Sequence, residues 1–560
     1  MQPWWQEWAE RLEWELEALR QVCISTDILL QDEAEGILVI SVVTAVEERI
    51  LHLQIHFPAD YPYMRPMLYA NGETFHWHQN PYGKNLCLLG TAGDHWSPEQ
   101  NAASLIREQL PKLISANASE DIAPASLIEE VQAEPFSVFL TYQPDSAMLL
   151  LSPLHPKGAA GTFRSRIRPF SGTLRGAIVE SSFYEEGVEA ADMPDALGYT
   201  SELSGRWVRS QRRPSTAQAQ AFWQELVSDH PELRHHQWKR FQGRSIDLVA
   251  VVVSEEISWR TCGDTVLFIL LELTKKGTST AVVEATFIQK YVADRASLAA
   301  RIPEVGNLQD RCVLLAGAGS LGSACALDLA RIGVGSLKLL DGDRTEAGNA
   351  VRWALGMEYA GMYKVHALQE HIRRNFPYTT VVPFPYALGN QAATLSIQRQ
   401  VYKGVELILD ATADRGVGLA LAERARILGI PYVWVSSTEG NWGGMVVNIR
   451  PGRTNACWWC LMKRLEEGSL PSPPVGPVMG VQVRGCASPT FSGAMFDSTE
   501  LSLQAIRCVV GDLSTSYPQY PWDYMMLALR ASNGDVIVPS WQTALLTPHP
   551  ECPRFHEHLA

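Results

Sequence analysis

The sequence predicts a multidomain chain of mixed class: an N-terminal α+β unit, a β-rich middle and a C-terminal α/β unit built on a parallel sheet. Three observations predict it. At 560 residues the chain is too long for one core, and about three domains are expected. From residue 310, DRCVLLAGAGSLGSACALDLARIGVGSLKLLDGD reads strand, glycine loop, helix, strand. Between residues 120 and 300, short apolar runs alternate with turn residues.

Bulk composition narrows the function. Apolar residues make up 46% and charged residues 19%, as in ordinary globular proteins. A net charge of −14 argues against a nucleic-acid or anionic-membrane partner, since phosphate backbones need a basic face. The apolar run VLFILLEL (266–273) is far shorter than the ~18 residues that suggest a spanning helix and reads as a core strand. The amphipathic start, MQPWWQEWAERLEWELEALRQ, is not a signal peptide. Ten cysteines without a secretion signal predict a reducing, cytoplasmic compartment.

Taken in order, Trp5, Trp8, Leu12, Leu16 and Leu19 at helical spacing predict a helix over residues 4–20. GILVISVV (36–43) and RILHLQIHF (49–57) predict strands, and the proline-punctuated PADYPYMRP (58–66) a loop. SPEQNAASLIREQLPKLI (97–114) predicts a helix capped at Ser97. The domain covering these elements is placed at 1–120. In the middle domain, 121–300, SVFLTY, AMLLLS, DLVAVVV, DTVLFILLEL and TAVVEATFI read as strands, and TAQAQAFWQELV (216–227) as a helix. That region shows no repeat and no catalytic constellation. It reads as a spacer or docking domain. The third domain, 301–560, holds further strand candidates, ELILDATAD (406–414) and PYVWVSS (431–437).

Gly317, Gly319 and Gly322 form G-x-G-x-x-G between a strand and a helix, where glycines permit a tight turn and close approach to phosphate. Asp341 ends the next strand, placed to hold a ribose. That much suits NAD or ATP equally. Asp343, the pair Asn349 and Arg352 spaced N-x-x-R, Lys364, and Asp410 with Asp414 then follow. A dehydrogenase has no need of such cations and carboxylates. An adenylating enzyme must neutralise a triphosphate and hold Mg²⁺.

In this order and spacing, residues 300–510 resemble the adenylation domain of the ubiquitin-activating superfamily, of ThiF/MoeB type, which includes bacterial sulfur-carrier activators. The resemblance implies a Rossmann-like fold, ATP and Mg²⁺. It implies Asp341 on the ribose, Asn349, Arg352 and Lys364 on the phosphates, and Asp414 on Mg²⁺. It implies a homodimer in which Arg295 or Arg301 reaches the partner's ATP. A Gly/Pro-rich loop, GPVMGVQVRGCASPTFSG (476–493), holds Cys486 ahead of a helix from about Asp497. A thiol there tends toward thiolate, and Cys486 is taken as the activating nucleophile.

Residues 50–110 resemble the ubiquitin-conjugating fold. FPADYPYMRP matches its F-P-x-x-Y-P-x-x-x-P loop, HQN (78–80) stands for H-P-N, GKNLCLL for G-x-x-C-L, and WSP (96–98) follows. Cys87 would then carry a thioester, with Asn80 stabilising the oxyanion or the loop. Two features depart from the pattern: Gln79 replaces the proline, and Asn80 is one residue nearer the cysteine. His76 and His78 beside Cys87 also compose a metal-ligand set. The expected role of these histidines is instead hydrogen bonding within the loop.

Cys457 and Cys460 in CWWC have zinc-ligand spacing. Cys552 with His556, or His549, would complete a site, as a second pair does in relatives of this family. A degenerate site without metal is the alternative, since Phe555 holds the expected second cysteine position. Cys23, Cys262, Cys312, Cys325 and Cys508 lie in apolar runs and read as core.

An activating and a conjugating unit in one chain resembles the fusion enzymes of bacterial CBASS antiphage operons. This implies ATP-dependent adenylation of a partner protein's C-terminus, thioesters on Cys486 and then Cys87, and transfer to a target amine. The implied cargo is a cyclic-oligonucleotide synthase. A ubiquitin-like protein as cargo, sulfur-carrier activation, and an inactive scaffold remain alternatives.

Overall fold

The computed structural model describes residues 2–46, 48–88, 96–118, 133–152, 156–170, 173–181, 193–274, 281–305, 308–390, 394–477 and 492–553. Two compact units emerge, Met1–Ala190 with Tyr199–Val292, and Ala191–Gly198 with Ala293–Ala560.

In the first unit a single helical turn, Trp4–Glu7, leads into the helix Ala9–Val22. Trp4, Trp5 and Leu19 are buried, Leu12 and Leu16 pack against the same core, and Trp8 is exposed at the junction. Four antiparallel strands follow: β1 (Ser25–Asp32), β2 (Ile37–Val46), β3 (Arg49–Phe57) and β4 (Met67–Tyr69). Along β3, alternate residues Leu51, Leu53, Ile55 and Phe57 point inward, the period of a half-buried strand. Buried Glu15 ties the helix to this layer. It accepts the Tyr61 hydroxyl and, at 2.9 Å, the backbone N–H of Ala102.

The expected cap at Ser97 is corrected. Asn101 is the cap, its Oδ1 accepting Ser104 N–H at 2.9 Å, and the helix starts at Ala102. It runs through a π-turn, Leu105–Gln109, into Leu110–Ala118. Pro111 explains the detour. It lacks an N–H for the α-helical ladder, and a wider turn just before it absorbs the mismatch.

The β-rich stretch belongs to this same unit. It has eight strands: β5 (Tyr142–Leu150), β6 (Ala160–Phe170), β7 (Thr173–Ser181), β8 (Ser201–Arg209), β9 (Lys239–Phe241), β10 (Arg244–Ser258), β11 (Thr261–Thr274) and β12 (Val282–Val292). The order β11-β12-β5-β7-β6-β8-β10, with β10 also paired to β11, closes seven strands on themselves, and β9 adds to β10. One face of β10 and β11 (Leu248, Ala250, Val252, Phe268, Leu270) meets Phe163, Ile167 and Trp207. The other (Val249, Val251, Ile269, Leu271) is covered by Phe222, Trp223 and Leu226 of the helix Ala219–Asp229. Both faces are dry, so these strands read as continuous apolar runs rather than alternating ones. SVFLTY is not a strand: Phe136–Phe139 is a 3₁₀ turn before β5.

The second unit carries an eight-stranded sheet. Its strands are β13 (Cys312–Ala316), β14 (Ser336–Leu340), β15 (Thr380–Phe384), β16 (Leu407–Asp410), β17 (Tyr432–Ser437), β18 (Gly443–Ile449), β19 (Tyr524–Arg530) and β20 (Val536–Ala544). The order β15-β14-β13-β16-β17 is parallel, and β18, β19 and β20 extend it antiparallel. The chain reverses direction of build between β13 and β16, where doubly wound sheets open a ligand crevice at their carboxyl ends. The helix Met495–Leu513 packs on Ser320–Arg331, with Ser498 Oγ 2.9 Å from Ser320 Oγ. Among the described residues, no helix is long and apolar enough to cross a membrane.

Cys325 and Cys508 are buried as expected for core thiols, and Cys23 and Cys312 are half-buried. Cys262 is exposed, at the start of β11 where the strand emerges from a turn.

Candidate active site

The crevice at the carboxyl ends of β13 and β16 is a cavity of about 330 Å³. Gly317, Gly319, Asp341, Asp343, Lys364 and Asp414 line it, with Tyr386, Ala411 and Thr412. A larger cavity of about 670 Å³ lies beside Trp458 and Arg450, away from these groups.

The glycines do different work. Gly317 has φ +84°, and a Cβ there would lie 2.7 Å from the Ala411 backbone. A Cβ at Gly322 would lie 1.8 Å from Gly317 O, so this glycine lets helix and loop touch. Gly319 precedes the helix Ser320–Arg331, and a Cβ there would meet open space. The first helical turn therefore offers N–H groups to a cavity with room for a phosphate.

Asp341 spans the mouth. Its Oδ2 accepts Ala318 N–H and its Oδ1 accepts Asp343 N–H, both at 2.7 Å. Burial raises its proton affinity, and Lys364 opposes the shift. Lys364 Nζ lies 2.8 Å from Asp343 Oδ2. Asp414 caps the helix Arg415–Leu428, Oδ1 accepting Val417 N–H at 2.9 Å, and its carboxylate borders the cavity. Asp410 is buried and bonded to Thr412 and Tyr432, which makes it a structural carboxyl.

Asn349 and Arg352 lie outside the lining, on the short turn Ala347–Val351 and just after it. Asn349 Oδ1 there accepts Glu346 N–H at 3.2 Å. Arg295 donates to Tyr378 O and Arg301 to Ser297 O, both at 3.0 Å. Cys486 falls outside the described residues.

These residues fit a nucleoside triphosphate with its metal. They supply a glycine loop at a helix start, a ribose-height carboxylate, a lysine and an open carboxylate at Asp414. The ThiF family model matches residues 295–528. This half of the chain carries a ThiF/MoeB-type adenylation domain. Over the whole length, the chain is 27% identical to protein y4oA of Sinorhizobium fredii, covering 98% of this chain and 97% of that one. It is 36% identical to the ATP-dependent ubiquitin transferase-like protein Cap2 of Enterobacter hormaechei, over 24% of this chain and 22% of that protein. It is 31% identical to the adenylyltransferase and sulfurtransferase uba4 of Aspergillus clavatus, over 41% of this chain and 49% of that protein.

A second candidate centre lies in the first unit. Cys87 is exposed, and its backbone N–H donates to His78 O at 2.8 Å. Asn80 Oδ1 accepts the backbone N–H groups of Tyr82 (2.9 Å) and Gly83 (2.8 Å), fastening the turn before the cysteine. Gln79, in place of the resembled family's proline, is buried. It accepts Phe75 N–H at 2.8 Å and donates to Ala70 O and Glu73 O. Asn117 holds His76 and Trp77 by their backbone N–H groups at 2.7 and 3.0 Å. Glu134 grips His78, and nothing in the sequence signals it, because its partner lies far away along the chain.

Among the described residues, the one cluster of three metal-ligating side chains is Cys457, Cys460 and Cys552, so His76, His78 and Cys87 form no such group. Cys457 Sγ lies 3.7 Å from both Cys460 Sγ and Cys552 Sγ. Zinc–thiolate bonds of about 2.3 Å in a tetrahedron set sulfurs roughly 3.8 Å apart, so the donors fit zinc. The Cys457 hydrogen bond pulls Cys460 down to about 4 while Cys457 is pushed up. His549 does not present a free ring nitrogen. Nε2 pairs with Glu467 at 2.8 Å and Nδ1 accepts Glu551 N–H at 3.1 Å. His556 lies outside the described residues.

Proposed function

We propose that the chain is an ATP- and Mg²⁺-dependent enzyme that activates the C-terminal carboxylate of a partner protein and transfers it to an amine. The observation that carries this is the cavity where Gly319, Asp341, Lys364 and Asp414 meet at the switch point of the sheet. Lys364 and Arg352 would stabilise charge on the phosphates as the carboxylate attacks and pyrophosphate leaves. Asp414 would hold Mg²⁺, which polarises the triphosphate. The acyl group passes to Cys486, then by thioester exchange to Cys87, and a lysine amine takes it. The favoured cargo is a CBASS cyclic-oligonucleotide synthase. A ubiquitin-like protein would use the same relay. The adenylation domain acts as a homodimer, and Cys457, Cys460, Cys552 and His556 hold a structural zinc.

A second reading is activation of a sulfur carrier, favoured by the similarity to uba4. Cys87 would then be dispensable. ATP–pyrophosphate exchange with the C-terminally intact product of a neighbouring gene tests adenylation itself. Exchange that needs the intact C-terminus and is lost in Lys364→Met supports the proposal. Absence of exchange with every such product opposes it.

A further inference from the structure

Glu134 holds His78 at two points. Its Oε2 accepts the backbone N–H at 2.7 Å, and its Oε1 lies 2.9 Å from ring Nδ1. The backbone of His78 sits at φ +64°, a left-handed conformation that is unfavourable for a non-glycine residue. Such strain persists where surroundings over-determine it, and here they do: Glu134 takes the N–H and Cys87 N–H takes the carbonyl. The ring is mostly buried, 18% exposed, and its Nε2 has no hydrogen-bond partner. The Cys87 side chain lies within interaction distance of the ring. Hydrogen bonding to the Cys87 side chain first, and to Glu134 second, raises the proton affinity of the imidazole.

Glu134 is itself anchored. Its N–H donates to Glu256 Oε2 at 2.9 Å on β10. Around it, Arg260 lies 4.8 Å over the Trp77 ring, and Trp77 and Trp259 rings are 5.4 Å apart. The charged groups about His78 are thus Glu134 directly, with Glu256 and Arg260 behind. Lys84 of the same loop turns to Thr74. The carboxylate arm therefore belongs to the β-rich stretch, giving that stretch a part in the chemistry.

We infer that Cys87, His78 and Glu134 form a proton-relay triad, with His78 Nε2 the base for the Cys87 thiol and Glu134 the positioning residue that fixes the ring. The inference rests on reading Cys87 as the acyl-carrying nucleophile. In loading, the thiol proton passes to Nε2 as Sγ bonds the acyl carbon. The bond from that carbon to the donor cysteine breaks, and the departing thiolate takes the proton from Nε2. In transfer, the amine nitrogen bonds the acyl carbon and yields a proton to Nε2. The carbon–Sγ bond breaks, and Cys87 Sγ recovers the proton. A carboxylate on Nδ1 holds the tautomer that makes Nε2 the acceptor.

Alkylation of the full chain by iodoacetamide, read cysteine by cysteine by mass spectrometry, tests this without ATP or cargo. Exposed Cys262 is the reference, and half-buried Cys23, packed against the core of the same unit, reports on folding. His78→Gln is expected to slow Cys87 labelling at pH 7 by about tenfold or more relative to Cys262, below the 10²–10⁴ typical of base catalysis. Its pH–rate profile should lose the limb due to the imidazole. Glu134→Gln should slow labelling by a smaller factor and shift that limb. Unchanged ratios and profiles in both variants would overturn the triad. If His78→Gln exposes Cys23, Glu134→Gln alone decides. Failure here leaves the thioester reading standing, and absence of a thioester on Cys87 leaves these labelling results intact.

Discussion

Lys364 Nζ and Asp343 Oδ2 stand 2.8 Å apart at the rim of the glycine-loop cavity, the lysine mostly shielded and the aspartate 74% exposed. An exposed pair of this kind adds little to folding, so the lysine is available to a phosphate. Lys364→Met should lower ATP–pyrophosphate exchange by about 10²-fold or more, the scale of losing one charge-stabilising donor, with an unchanged thermal midpoint. A matching fall in the midpoint would show a structural role instead.

Gly322 and Gly319 should separate in a simple experiment. Gly322→Ala forces a Cβ to within 1.8 Å of Gly317 O. Overpacking of this kind costs about 1–3 kcal/mol, so its thermal midpoint should fall by several degrees. Gly319→Ala meets only open space in the protein. It should keep its midpoint yet bind a non-hydrolysable ATP analogue at least tenfold more weakly, about 1.4 kcal/mol, as read by calorimetry.

Much of this site is legible in sequence because it is local. The run Cys312–Ala316 and its glycine loop form one βαβ unit whose parts are neighbours in the chain. The Cys87 centre is less so. Gln79 shows only as a departure from a pattern, and Glu134 arrives from the approach to β5, beyond reach of any motif. Fold errors have similar causes. β1 escapes notice because Ile28, Leu29 and Leu30 are all exposed on an edge strand, which mimics no buried pattern. In β6, Phe163, Ser165 and Ile167 are buried while Arg164 is exposed. That alternation is present in the sequence, but its arginines disguise it.

Asn80 anchors its turn through the side-chain carbonyl. Asn80→Asp keeps that acceptor and loses the amide N–H, whereas Asn80→Ala loses both. Cys87 thioester transfer to an amine should survive within a few-fold in Asn80→Asp and should fall with stability in Asn80→Ala, by about 1 kcal/mol for the lost side-chain hydrogen bonds to a partly exposed turn. Single-turnover transfer and thermal melting check both.

Burial raises the Asp512 carboxyl to about 6, with the Asn448 amide, 2.8 Å away, opposing. Its unfolded value is near 3.9. The folded state thus prefers the protonated form. This contribution to stability is full below about pH 4 and is lost as pH rises through 6. A gap of about two units corresponds to roughly 3 kcal/mol. Asp512→Asn should raise the thermal midpoint by several degrees at pH 7.5 and leave it unchanged near pH 4.

Cys552→Ser should remove a third of the described thiol cluster and, with it, bound zinc. Metal analysis of wild type should give one zinc per chain, and chelation should lower the midpoint of wild type but not of the variant.

The central claim is that this chain carries an ATP-activated acyl group on cysteine. The direct measurement is a non-reducing gel of the full chain with ATP–Mg²⁺ and the intact product of a neighbouring gene, run beside Cys486→Ala and Cys87→Ala. The account predicts an ATP-dependent adduct in wild type that thiols cleave, that disappears in Cys486→Ala, and that remains on Cys486 in Cys87→Ala. An adduct that persists in Cys486→Ala, or that forms without ATP, would contradict it.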